Sequence, residues 1–183
     1  MAHIEITNGQ PGITGLMIQR PDTAAPLNLL AETLLRGPLT LSRGERELIA
    51  AYTSELNTTP FCSGSHSAFA AAQLEGGHDL VKSVLHDPDA APISPKLRAL
   101  LAIAAEVRGE VRAVSQEAVA AAREAGADDA EIHDTVLIAA SFCLFNRYVT
   151  CLDTEEPADA GYYDVSAQRI VEHGYGAAVA SAR

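Results

Sequence analysis

Thr58-Thr-Pro-Phe-Cys-Ser-Gly-Ser-His66 holds the only cysteine–histidine pair in this chain at one-turn helical spacing. Pro60 suits the first position of a helix, where its missing N–H would have no partner anyway, and Thr59 before it is a good N-cap. Cys62 then falls at the third helical position, near unpaired backbone N–H groups and the positive end of the helix dipole. That environment favours a thiolate, so Cys62 is expected to be the most acidic and reactive thiol of the chain. His66, four residues on, lies one turn further along the same face, within side-chain reach of the sulfur. Singly, a cysteine in an Ala-rich helix is usually a small buried hydrophobe and a helical histidine a hydrogen-bonded structural residue. A thiol and a base paired at a helix start point to a reactive centre.

Upstream, Ser42-Arg-Gly-Glu45 is a capping-box pattern that opens a helix running to about Asn57, with Leu48, Ile49, Tyr52 and Leu56 on its buried stripe. Only a few residues around Thr58 separate it from the Cys62 helix, so the two are expected to pack as an antiparallel hairpin. Glu47 lies eleven residues before that turn and His66 eight after it. At a rise of about 1.5 Å per residue the mismatch is roughly 4–5 Å, which a side chain or one water spans. Glu47 is thereby a candidate to orient His66, the alternative being a solvated helix charge.

Further out, cap and stop signals divide the chain into helices. Residues 1–24, punctuated by Gly9, Pro11, Gly12, Gly15 and Pro21, read as irregular. A helix is expected from about Ala25 to Arg36, stopped by Gly37-Pro38. The Cys62 helix should end at Gly76-Gly77, and a short helix at Asp79–Leu85 should precede the Pro-rich bend 87–92. Ser94-Pro95 opens a helix to Arg108 and Ser115 caps one to Ala125. Asp128-Asp-Ala-Glu131 starts the longest, to about Leu152, and a short one follows Ser166. Only His3–Thr7 hints weakly at a strand. The expectation is an all-α, single-domain bundle of seven or eight helices over residues 25–175, with a tail at 176–183.

The 183 residues are enough for one substantial core, and 48% hydrophobic but only 5% aromatic residues, with no Trp, mean a core of Ala, Leu, Val and Ile. A net charge of −11, from 24 acidic and 13 basic residues, argues against nucleic-acid or anionic-membrane surfaces. No basic start followed by an apolar run suggests secretion, and the longest apolar run, Val136–Phe145, is too short to cross a bilayer. Three cysteines without framework spacing fit a reducing cytoplasm. The six histidines are scattered and no Gly-rich phosphate loop is present, so neither metal nor cofactor is expected. Val136–Phe145 is apolar nearly all round, which calls for burial on every side and, in a chain this small, for a homo-oligomer. A helix buried within a single core is the alternative.

The run Leu41-Ser-Arg-Gly-Glu-Arg-Glu-Leu-Ile-Ala50, then Leu56-Asn57, Cys62 and His66, resembles the alkylhydroperoxidase D / carboxymuconolactone decarboxylase superfamily, and more narrowly its peroxidase-related branch. Lys96-Leu-Arg-Ala-Leu-Leu101, Glu131-Ile-His-Asp134 and Phe145-Asn-Arg147 are also similar to that branch, so the resemblance spans about residues 12–175. The family motif is a glutamate and, starting twelve positions later, Cys-x-x-Cys-x-x-x-His. On this sequence the glutamate falls on Glu47, the peroxide-attacking cysteine on Cys62 and the histidine on His66. The motif's first, resolving cysteine falls on Thr59, which is not a thiol. The resemblance implies a hydroperoxide substrate reduced at Cys62 through a Glu47–His66 relay. Resolution must then come from Cys143, Cys151, another subunit or an external thiol reductant. Two rivals stand beside it: a homologue that has lost catalysis and acts as a binding or scaffold protein, which the missing thiol supports, and a decarboxylase-like lyase, which the retention of Cys62 opposes.

Overall fold

The computed structural model describes residues 2–109, 112–159 and 161–176. Among them lie nine helices and no strand: α1 (Gly12–Gln19), α2 (Pro21–Arg36), α3 (Arg43–Leu56), α4 (Pro60–Ala71), α5 (Gly77–His86), α6 (Pro95–Arg108), α7 (Gln116–Glu124), α8 (Asp129–Cys151) and α9 (Tyr162–His173). The protein is all-α, with one helix more than the upper expectation.

Where the sequence carried a cap, the helix starts at it. Ser42 accepts from the Glu45 amide while the Glu45 carboxylate returns to the Ser42 N–H, and Asp128 with Glu131 repeats the device at α8. Ser94 and Ser115 cap α6 and α7 with the side-chain half of the device alone, accepting from the Leu97 and Ala118 amides. Each cap gives a partner to amide groups that a helix start otherwise leaves unpaired, typically worth about 1 kcal/mol. Glu131 also takes the Lys96 ammonium at 2.7 Å, tying the starts of α6 and α8 together.

Helix α3 runs through the middle of the bundle and packs most extensively against α4, and also against α8 and α6. Its sides are closed by Leu48, Ile49, Ala50 and Ala51, all fully buried. The α3–α4 turn is a Schellman closure: the Thr58 N–H reaches Glu55 O at 2.9 Å and the Thr59 N–H reaches Ser54 O at 3.1 Å. Thr58 sits at φ 54° where glycine is usual, so the tight hairpin is made without a glycine.

Three boundaries differ from expectation. Residues 12–19 form α1 and α2 begins at Pro21, so the second half of the segment read as irregular is helical and belongs to the same body. Gly12 there, at φ 54°, lies so close to the Phe61 ring that a Cβ would overlap it. Helix α4 stops at Ala71, well before Gly76-Gly77. Helix α9 starts at Tyr162, before Ser166. Of the tail expected at 176–183, all but Gly176 lies outside the described residues.

Candidate functional site

The hairpin brings Glu47 and His66 into direct contact. His66 Nδ1 and Glu47 Oε2 are 2.6 Å apart, with no water needed between them, and Glu47 is only 1% exposed. Its other oxygen, Oε1, accepts from the Tyr175 hydroxyl at 2.6 Å. Burial and the neighbouring Glu47 charge push the Tyr175 hydroxyl well above its ordinary range, so it remains a donor. With Glu47 accepting at Nδ1, the neutral imidazole carries its proton there and leaves Nε2 as the basic nitrogen. Phe142 and Phe69 meet the His66 ring edge-on at centroid distances of 4.5 and 5.1 Å, and Tyr175 stacks near-parallel on it at 6.3 Å. The ring is therefore fixed by a carboxylate behind it and aromatics around it.

Cys62 occupies the third position of α4 as expected, 3% exposed. Its environment reverses the expected acidity. Burial among apolar side chains pushes the thiol up to about 11, and a hydrogen bond with Asn146 only partly offsets this. The helix start does not overcome desolvation because the sulfur packs with Phe61 and Val149. Among the described residues the thiol makes no hydrogen bond with His66, but both side chains line one cavity of about 90 Å³. This cavity is walled mainly by apolar groups such as Ile13, Met17, Phe61, Phe69, Phe142 and Phe145.

Thr59 is buried in the turn ahead of α4, yet it does not act as the expected side-chain cap. Its hydroxyl turns away to Asn57 O at 3.4 Å and Thr150 Oγ1 at 3.3 Å. Of the other thiols, Cys143 receives the Asn57 amide at 3.6 Å and Cys151 is exposed at the end of α8; all three cysteines are free. Gly64, between Cys62 and His66, lets α9 approach: a Cβ there would sit 2.8 Å from the Tyr163 ring.

Sequence reasoning missed Tyr175, Asn146, Asn28 and Arg169. Asn146 is held by Asn57 at 2.8 Å and Ser54 at 3.0 Å, and the signal for it was a carboxamide placed directly after the apolar run Val136–Phe145 of α8. Tyr175 carried no such signal, because only the fold brings residue 175 to residue 47. Among the described residues no cluster of His, Cys, Asp and Glu could hold a metal ion, and no helix is long and apolar enough to cross a membrane.

No family model and no curated protein matches the chain. Solved structures do. The alkylhydroperoxidase AhpD core of a peroxidase-related protein from Ralstonia eutropha JMP134 superposes with a TM-score of 0.75 at 25% identity, covering 86% of this chain and 81% of that one. A peroxidase-related protein from Silicibacter sp. TM1040 gives a TM-score of 0.74 at 22% identity, over 84% of this chain and 78% of the other. In fold, the protein resembles the alkylhydroperoxidase D-like, peroxidase-related structures.

Proposed function

We propose that the protein reduces hydroperoxides at Cys62, with His66 as the base and Glu47 and Tyr175 as the groups that orient it. The observation that carries this is the continuous chain Tyr175–Glu47–His66, which ends at the same cavity as the Cys62 thiol. Because burial keeps the thiol protonated, attack must be coupled to loss of its proton. The sulfur attacks the terminal oxygen of ROOH, forming an S–O bond as the O–O bond breaks. His66 Nε2 takes the thiol proton and passes it to the departing alkoxide, which leaves as ROH. Sulfur is oxidised by two electrons to a sulfenic acid and the peroxide is reduced by two. With threonine at position 59, an external thiol condenses with the sulfenic acid, releasing water. A second thiol then frees Cys62 as the external disulfide forms. Such a cycle needs a reducing compartment, and three free cysteines fit the cytoplasm.

The test is peroxide consumption with a thiol reductant. Cys62→Ser should abolish it and His66→Ala should lower it by about 10²–10⁴-fold, the usual worth of a positioned base. Full turnover by Cys62→Ser would overturn the proposal. A second reading, a binding protein that has lost the reaction, is favoured by Thr59 and by the raised Cys62 thiol. It predicts no turnover in the parent protein under any reductant.

The assembly proposed with this function is a homo-oligomer. Val136–Phe145 is not buried all round within one chain: Leu137, Ala140 and Leu144 lie exposed on one face of α8, with Leu137 38% and Leu144 48% accessible. That face is the natural seat of a second copy.

A further inference from the structure

We infer that the cavity beside Cys62 takes a small apolar organic acid, with its carboxylate on Arg169 and the Asn28 carboxamide and its hydrocarbon body against the aromatic wall. As a substrate class, a hydroperoxide bearing a carboxylate, this rests on the peroxide reading of the same site; as a binding site it does not.

The sequence spacing sets up the polar end. Tyr162, Ser166, Arg169 and Ile170 recur at helical intervals, so one face of α9 is turned to the cavity, and all four line it. Arg169 is half-buried there and has neither ion pair nor hydrogen bond among the described residues. In a chain with 24 acidic residues, no described Asp or Glu lines this cavity. A guanidinium without a carboxylate partner, beside an apolar hollow, selects for an anion. Asn28, on α2, gives the second and independent sign. It lines the same cavity, is only 7% exposed, and its Nδ2 has no hydrogen-bond partner. Buried carboxamides are ordinarily satisfied, and an orphaned one bordering a hollow marks where a ligand's oxygen belongs. The hydroxyls of Thr14 and Tyr162, by contrast, already pair at 3.1 Å and ask for nothing.

Size narrows the class. A dry engineered cavity of roughly 150 Å³ holds benzene. At about 90 Å³ this hollow suits a body of a few carbon atoms. An acid of that length that carries its hydroperoxide at the far end would lie in one hollow with Arg169, Cys62 and His66.

The test is calorimetric titration of the reduced protein with butyrate and, separately, with butan-1-ol, neither of which is a peroxide. Butyrate should bind about tenfold or more tightly than the alcohol, the scale of a charge-assisted hydrogen bond. Arg169→Met should erase that preference, Arg169→Lys should restore part of it, and Asn28→Leu should weaken butyrate more than butan-1-ol. Equal affinities, no butyrate binding, or an undiminished preference in Arg169→Met would each overturn the inference. If Cys62-dependent peroxide turnover stands while butyrate fails, only the acid specificity falls. If butyrate binds as predicted but turnover is absent, the reaction falls and the binding site remains.

Discussion

Cys62 shows at the scale of one residue how two effects on a thiol compete. A helix start lowers its pKa and burial raises it, and here burial wins, leaving a group that titrates near 11. Four units below that, at pH 7, only about one molecule in 10⁴ carries the thiolate. Alkylation of Cys62 by iodoacetamide should therefore be slow at neutral pH and climb with pH toward 11, while exposed Cys151 reacts first. Site-resolved mass spectrometry against pH checks this, and a Cys62 inflection below about 8.5 would contradict it. The folded pKa is raised, so the Cys62 contribution is complete below the unfolded value of about 9 and is lost as pH rises through about 11. Sequence spacing made the Glu47–His66 pairing legible, since both sit at countable distances from one turn. It could not make the thiol's pKa legible, because that depends on Phe61 and Val149 closing over the sulfur from different helices.

The element that positions the chemistry is the α3–α4 hairpin, with α9 packed against α4. At Gly64 the Tyr163 ring of α9 comes within 2.8 Å of where a Cβ would sit. Gly64→Ala should cost about 1–3 kcal/mol, because the Tyr163 ring must move to admit the methyl group. A denaturation midpoint unchanged from the parent would show that α9 is not held there. Thr59→Cys tests the turn before α4. A sulfur three residues ahead of Cys62 should close a disulfide with it on peroxide addition and raise turnover with a dithiol. The loss in stability should be about 1 kcal/mol or less, since the Thr59 hydroxyl makes only long contacts and no cap. A folded variant with no bridge and no gain would break the correspondence between Thr59 and the motif's resolving cysteine. Caps at Ser42, Ser94, Ser115 and Asp128 were readable because each is a local bond between residues three apart. Helix α1 was not. Gly12 and Gly15 read as breakers, but they are tolerated because the Phe61 ring and the Gln10 carbonyl press directly on them. Such close approach is a tertiary fact with no local signature.

For the whole molecule, the bundle surrounds the catalytic candidates but leaves the Leu137–Ala140–Leu144 face of α8 uncovered. Light scattering should give a homo-oligomer at micromolar concentration, and Leu144→Glu should shift it toward monomer. A monomeric parent would remove the case for assembly. The net charge of −11 is carried on a molecule whose cavity beside Cys62 is lined by no described carboxylate, a segregation the composition alone does not disclose.

Oxidation chemistry separates a centre from an ordinary buried thiol most directly. The reduced protein is treated with one equivalent of hydrogen peroxide beside a dione that traps sulfenic acids, then digested and mapped by mass spectrometry. Although Cys62 is the most buried of the three thiols and the slow one toward iodoacetamide, it should carry the adduct first, and His66→Ala should suppress it. An adduct on Cys143 or Cys151 with Cys62 unchanged would contradict the assignment of Cys62, His66 and Glu47 as a peroxide-reducing centre.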